Sequence, residues 1–108
     1  MAGNTHLMHD VYETARRYGD RLRLKGYVVD KVIVFGSWAK GTPQKDSDID
    51  ICIVSSQFGK DELLELKKLL HETHSIDVRI EPVPMSTADF IQDATPPVTE
   101  IKKYGISV

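Results

Sequence analysis

Val32-Ile33-Val34-Phe35-Gly36-Ser37-Trp38-Ala39-Lys40-Gly41, followed five residues later by Ser47-Asp48-Ile49-Asp50-Ile51-Cys52-Ile53-Val54, decides how this chain reads. The first apolar run is short, rich in β-branched residues and closed by glycine, the pattern of a buried strand. The second alternates, so Ile49, Ile51 and Ile53 share one face while Asp48 and Asp50 project together from the other. Two carboxylates held on one face of a rigid strand repel each other, and a nearby cation relieves that repulsion. Between the strands, Gly36 lets an anion approach the main chain and Ser37 adds a hydroxyl donor. A short helix opening at Ser37 would aim free N–H groups at the same anion. Gly41-Thr42-Pro43 ends that helix and returns the chain toward the Asp strand.

Two other motifs fail on these residues. Gly36 and Gly41 have P-loop spacing, but Thr42 stands where that loop needs its lysine. Asp46, Asp48 and Asp50 imitate the opening of an EF-hand loop, but Ile51 takes the place of the turn glycine and Gln57 that of the bidentate glutamate. Taken without the Gly-Ser turn, Asp46 to Asp50 also reads as a solvated acidic turn.

The run Gly36-Ser37-Trp38-Ala39-Lys40-Gly41 with Ser47-Asp48-Ile49-Asp50-Ile51 resembles the signature of the DNA-polymerase-β-like nucleotidyltransferase superfamily. The short chain is similar to the minimal nucleotidyltransferases, small proteins often found as the antitoxin half of a pair with a HEPN-domain protein. The resemblance implies an α/β (α+β) fold, a small mixed sheet flanked by helices. It implies that Asp48 and Asp50 bind two Mg²⁺ ions, that Gly36, Ser37 and Ser47 contact the nucleotide, and that a third carboxylate lies on a neighbouring strand. Asp77 is the candidate, because 75–82 alternates Ile76, Val78 and Ile80 with Asp77, Arg79 and Glu81, and the resemblance implies that it binds the catalytic metal ion and helps activate the acceptor hydroxyl. By itself Asp77 could equally be the outward residue of an edge strand.

The activity implied is Mg²⁺-dependent transfer of a nucleoside monophosphate, AMP from ATP, to a hydroxyl of a protein partner. That partner would be a HEPN toxin held in a hetero-oligomer, with a homodimer as another arrangement. Two alternatives stand beside it: a non-catalytic module that neutralises its partner by occlusion, and a small-molecule nucleotidyltransferase.

At 108 residues the chain fits one domain, 1–108, and its formal net charge of −2 gives no global pull toward nucleic acid. The lone Cys52 excludes an internal disulfide, and the polar start and lack of a long apolar run point to a cytoplasmic protein rather than a membrane one. Leu7, Val11, Ala15, Tyr18 and Leu22 recur at helical spacing, with Thr5 as a cap and Gly26 as a stop. The arginines of that helix read as a solvated face, diluted by Asp10, Glu13 and Asp20. Leu63, Leu64, Leu66, Leu69 and Leu70 mark a second amphipathic helix over 60–74, capped by Asp61. Ser86 caps a third, 98–104 forms a fourth, and Gly105 leads to a short tail. His71 and His74 share a helix face without a third ligand. Trp38 either packs the signature helix or stacks on a base. Lys40, Lys45 and Arg79 are possible phosphate contacts.

Overall fold

The computed structural model describes residues 2–43, 47–92 and 96–108, with only the backbone described for 2–7 and 96–97. Lys45, Asp46 and the side chain of Leu7 lie outside the described residues. The elements follow in the order α1 (Ala2–Leu24), β1 (Lys31–Phe35), α2 (Ser37–Lys40), β2 (Ile49–Ser55), α3 (Glu62–Thr73), β3 (Ile80–Ser86), α4 (Thr87–Gln92), α5 (Pro96–Tyr104) and β4 (Ile106–Ser107).

The strands form one mixed sheet in the order β3-β2-β1-β4. Antiparallel β1 and β2 set Val34 against Ile51 and Phe35 against Asp50. Parallel β2 and β3 set Ile49 against Ile80 and Asp50 against Glu81, with α3 as the crossover that a parallel pair requires. Alternation then divides the core in two. Val32, Val34, Ile49, Ile51 and Ile53 face the α1 stripe of Val11, Ala15, Tyr18 and Leu22, together with Trp38 and Leu69. On the opposite face Ile33, Cys52, Val54 and Met85 meet Val98 and Ile101 of α5. Apolar burial pushes the free Cys52 thiol up to about 12.

Tyr18 ties α1 to α3. Its buried hydroxyl donates to the Leu69 carbonyl at 2.7 Å, a long-range bond inside the core. Tyr18→Phe should therefore cost about 1 kcal/mol, the net worth of one buried hydrogen bond, read as a lower urea midpoint at unchanged slope.

Four local expectations change. Helix α1 starts at Ala2, ahead of Thr5, so Thr5 lies within the helix rather than capping it. Strand β3 begins at Ile80, not near residue 75. The amides of Ile76 and Asp77 both return to the Thr73 carbonyl, at 3.0 and 2.9 Å, and that of Ile80 returns to Asp77. These bonds keep 74–79 in successive turns, so Asp77 is not on a strand. The last residues form β4, where Ile106 pairs with Val34 and Ser107 with Ile33. Gly105 makes that return possible, since a Cβ there would sit 2.2 Å from the Ile101 carbonyl oxygen. Finally, α3 buries only Leu69 and Thr73 among its residues, while Leu63, Leu64 and Leu70 stay exposed.

The caps at Asp61 and Ser86 form as expected. Asp61 accepts from the Leu64 amide at 3.1 Å, and Ser86 Oγ accepts from the Asp89 amide at 3.1 Å. Among the described residues no helix is long and apolar enough to cross a membrane.

Candidate active site

The turn after β1 is built on a backbone that only glycine holds comfortably. Gly36 has φ 72° and ψ −150°, and from it α2 runs for four residues before Gly41 closes it in a left-handed conformation. The Lys40 amide returns to the Gly36 carbonyl and the Thr42 amide to that of Ser37. Trp38 is buried in the core, which settles its role as packing, and its indole N–H points to the Ser47 carbonyl at a long 3.5 Å.

Gly36 also touches the Asp strand. A Cβ on Gly36 would stand 2.1 Å from Asp50 Oδ2, far inside contact distance. Gly36→Ala should therefore both strain the turn, at about 1–3 kcal/mol, and displace the Asp50 carboxylate. The expected result is a lower melting temperature together with loss of ATP binding in the presence of Mg²⁺, measured by thermal unfolding and calorimetric titration.

Asp50 is the focus of negative charge. It is half-buried, faces Phe35 across one ladder and Glu81 across the other, and follows Asp48 by two residues. Burial first, then Glu81, Asp48 and Glu100, push its carboxyl up to about 6. Asp50, Glu81 and Glu100 line an open cleft of about 550 Å³ together with Gly36, Leu66 and Leu70. Asp48 lies just ahead of β2 and is exposed. Lys40 pairs with Glu100 and holds its ammonium 5.2 Å from the Tyr104 ring centroid. Lys40 is thus engaged with α5 beside the cleft.

Asp77 is not among the described residues that line this cleft. Arg79 grips its carboxylate through Nη2 at 2.8 Å and Nε at 3.1 Å, and the Arg79 amide adds a third bond at 2.9 Å. This grip, helped by Arg17 of α1, holds the carboxyl below its ordinary range. The charges bearing on Asp50 are those of Glu81, Asp48 and Glu100, and Asp77 is not among them. The acidic partner that the neighbouring strand brings to Asp50 is Glu81, which the sequence reading passed over. The available signal was that Ile80-Glu81 repeats Ile49-Asp50, and the parallel register aligns the two pairs.

The nucleotidyltransferase domain family matches residues 16–106. The chain belongs to that family. By sequence, no curated protein matches it. The nucleotidyltransferase fold recurs in a Sulfolobus solfataricus crystal structure assigned as a nucleotidyltransferase, with TM-score 0.70 at 15% identity over 96% of this chain and 84% of the other. A toxin–antitoxin crystallised with AMP-PNP gives 0.59 at 19% identity, over 82% of this chain and 66% of that one. A substituted form of the toxin–antitoxin MntA-HpeT gives 0.61 at 16%, over 86% and 70%.

The fold family brings a divalent metal into question, and the donor chemistry of this domain fits one. Carboxylate oxygens are the hard donors Mg²⁺ prefers, and a bound cation would offset both the burial that chiefly lifts Asp50 and the repulsion from Glu81, Asp48 and Glu100 that adds to it. Among the described residues no three Asp, Glu, His or Cys groups already converge on an ion position. His71 and His74 are exposed and meet edge to face with ring centroids 6.2 Å apart.

Proposed function

We propose that this nucleotidyltransferase moves a nucleoside monophosphate, AMP from ATP, onto a hydroxyl of a partner protein, and so acts as an antitoxin toward a HEPN-domain toxin. The observation that carries the reading is the contact between the Gly36 turn and Asp50, with Glu81 in register beside it. It joins an anion-holding backbone to a carboxylate cluster within one cleft. Gly36, Ser37 and Ser47 hold the nucleotide, and Asp48, Asp50 and Glu81 hold Mg²⁺, whereas Asp77 serves as a turn anchor for Arg79. Bound Mg²⁺ supplies charge neutralisation for the triphosphate. The rigid β2 backbone supplies orientation, fixing the direction from which a hydroxyl approaches the α-phosphorus as pyrophosphate leaves. Structural likeness to two toxin–antitoxin crystal structures supports the antitoxin role. A buried free thiol suits a reducing cytoplasm.

The test is transfer of label from α-labelled ATP to a co-expressed HEPN partner in the presence of Mg²⁺. The expected outcome is labelled partner with wild type and none with Asp48→Asn or Asp50→Asn. Neutralisation that survives both substitutions with no label transferred would mean occlusion instead.

A further inference from the structure

We propose that the groove between α3 and the outer edge of β3 is the docking surface for the acceptor protein, taking an extended basic segment anchored by apolar side chains. This rests on the acceptor being a protein. Leu63, Leu66 and Leu70 recur at i, i+3 and i+7 on α3, and two of them are exposed, Leu63 at 63% and Leu70 at 40%. A leucine stripe of this kind is unusual on a surface that meets only water. Leu66 continues it into an open groove floored by Val83 and Met85 and walled by Glu62, Glu65 and Asp89. The same Leu66 and Val83 also line the cleft that holds Asp50, Glu81 and Gly36. The groove and the candidate active-site cleft therefore adjoin at Leu66 and Val83, with the exposed Leu70 on the cleft side.

Charge selects the occupant. No Lys or Arg is among the described residues lining either stretch, while carboxylates line both. Glu65 is held in its ionised form by the amides of Gly59, Lys60 and Asp61. Such walls repel nucleic acid and anionic lipid and attract Lys and Arg. The mode of docking is also restricted, because Pro82 and Pro84 on the edge strand offer no N–H to an added strand. The segment must bind through its side chains, with leucine-sized groups against Leu63 and Leu66 and cations against Glu62 and Asp89, leaving a hydroxyl further along to reach Asp50.

The probe is a fluorescent random copolymer of lysine and tyrosine, compared with one of glutamate and tyrosine of equal length, followed by anisotropy at 150 mM salt. Two double variants are used: Glu62→Lys with Asp89→Lys, and Leu63→Ser with Leu66→Ser. The proposal expects the lysine copolymer to bind wild type, the glutamate copolymer not to bind, and each double variant to weaken binding at least tenfold. In the charge-reversed variant, whose residues lie outside the cleft around Asp50, the thermal shift produced by ATP and Mg²⁺ should remain as in wild type. Equal binding of the lysine copolymer by wild type and the charge-reversed variant overturns the proposal, as does equal binding of the glutamate copolymer. So does a serine double variant that turns a dimer into a monomer without weakening copolymer binding, which would make the stripe a contact between two copies. Absence of any ATP and Mg²⁺ shift in wild type would instead defeat the nucleotidyltransferase reading, while the anisotropy series still decides the groove.

Discussion

Asp50→Asn should raise the melting temperature of the nucleotide-free protein by about 5 °C while removing its thermal response to ATP and Mg²⁺. The two effects share one cause. Asp50 sits half-buried with Glu81, Asp48 and Glu100 around it, so its ionised form is disfavoured until a cation arrives. Its carboxyl rises from an ordinary value of 3.8 to about 6. At about 1.4 kcal/mol per pK unit this sets a ceiling near 3 kcal/mol, reduced to roughly 1–2 by solvent screening of a partly exposed group. An amide of the same shape escapes that penalty, and about 1 kcal/mol corresponds to several degrees in a domain of this size. The amide is also a poorer ligand, so the affinity for ATP with Mg²⁺ should fall at least about tenfold, since even groups behind the direct ligands of a metal are worth 10–100-fold. Thermal unfolding with and without ATP, Mg²⁺ and EDTA reads both effects. A variant less stable than wild type, or one that still responds to the ligand, would contradict the account.

The sign of the accompanying pH dependence is fixed by the same shift. Because the folded pKa lies above the unfolded one, the folded state keeps a proton that the unfolded chain has already released between about pH 4 and 6. That contribution is complete below the unfolded value and is lost as pH rises through the folded value. Wild type should therefore lose stability relative to Asp50→Asn across this window and remain below it above about pH 6. The Arg79 grip on Asp77 acts oppositely, stabilising above the ordinary carboxylate range and weakening as pH falls through the depressed value. Subtracting the two curves cancels it, because both proteins retain Asp77.

Much of the architecture is legible in local pattern. The α1 stripe, the apolar run of β1, the two glycines around α2, and the caps at Asp61 and Ser86 are each decided within a few residues. What escapes is set by partners distant in sequence. Strand β4 has two residues, too few for any periodicity, and exists because Gly105 lets the chain pass close to α5 and join β1. The alternation over 75–82 fits a strand as well as it fits a run of turns, and the Thr73 carbonyl, by taking two amides, decides for turns. Glu81 acquires its place from the parallel register with β2, which no local window contains. The leucines of α3 show the converse: their spacing is helical, yet periodicity does not tell which of them meet the core.

We propose that the carboxylate completing the candidate site is Glu81 rather than Asp77. Calorimetric titration of ATP in the presence of Mg²⁺ into Glu81→Gln and Asp77→Asn tests it without knowledge of the acceptor. Glu81→Gln should weaken binding at least about tenfold, on the same grounds as Asp50→Asn. Asp77→Asn should bind as wild type does and lose only modest stability, because its partner Arg79 is on the surface. Wild-type affinity in Glu81→Gln, with the loss falling on Asp77→Asn, would contradict the account.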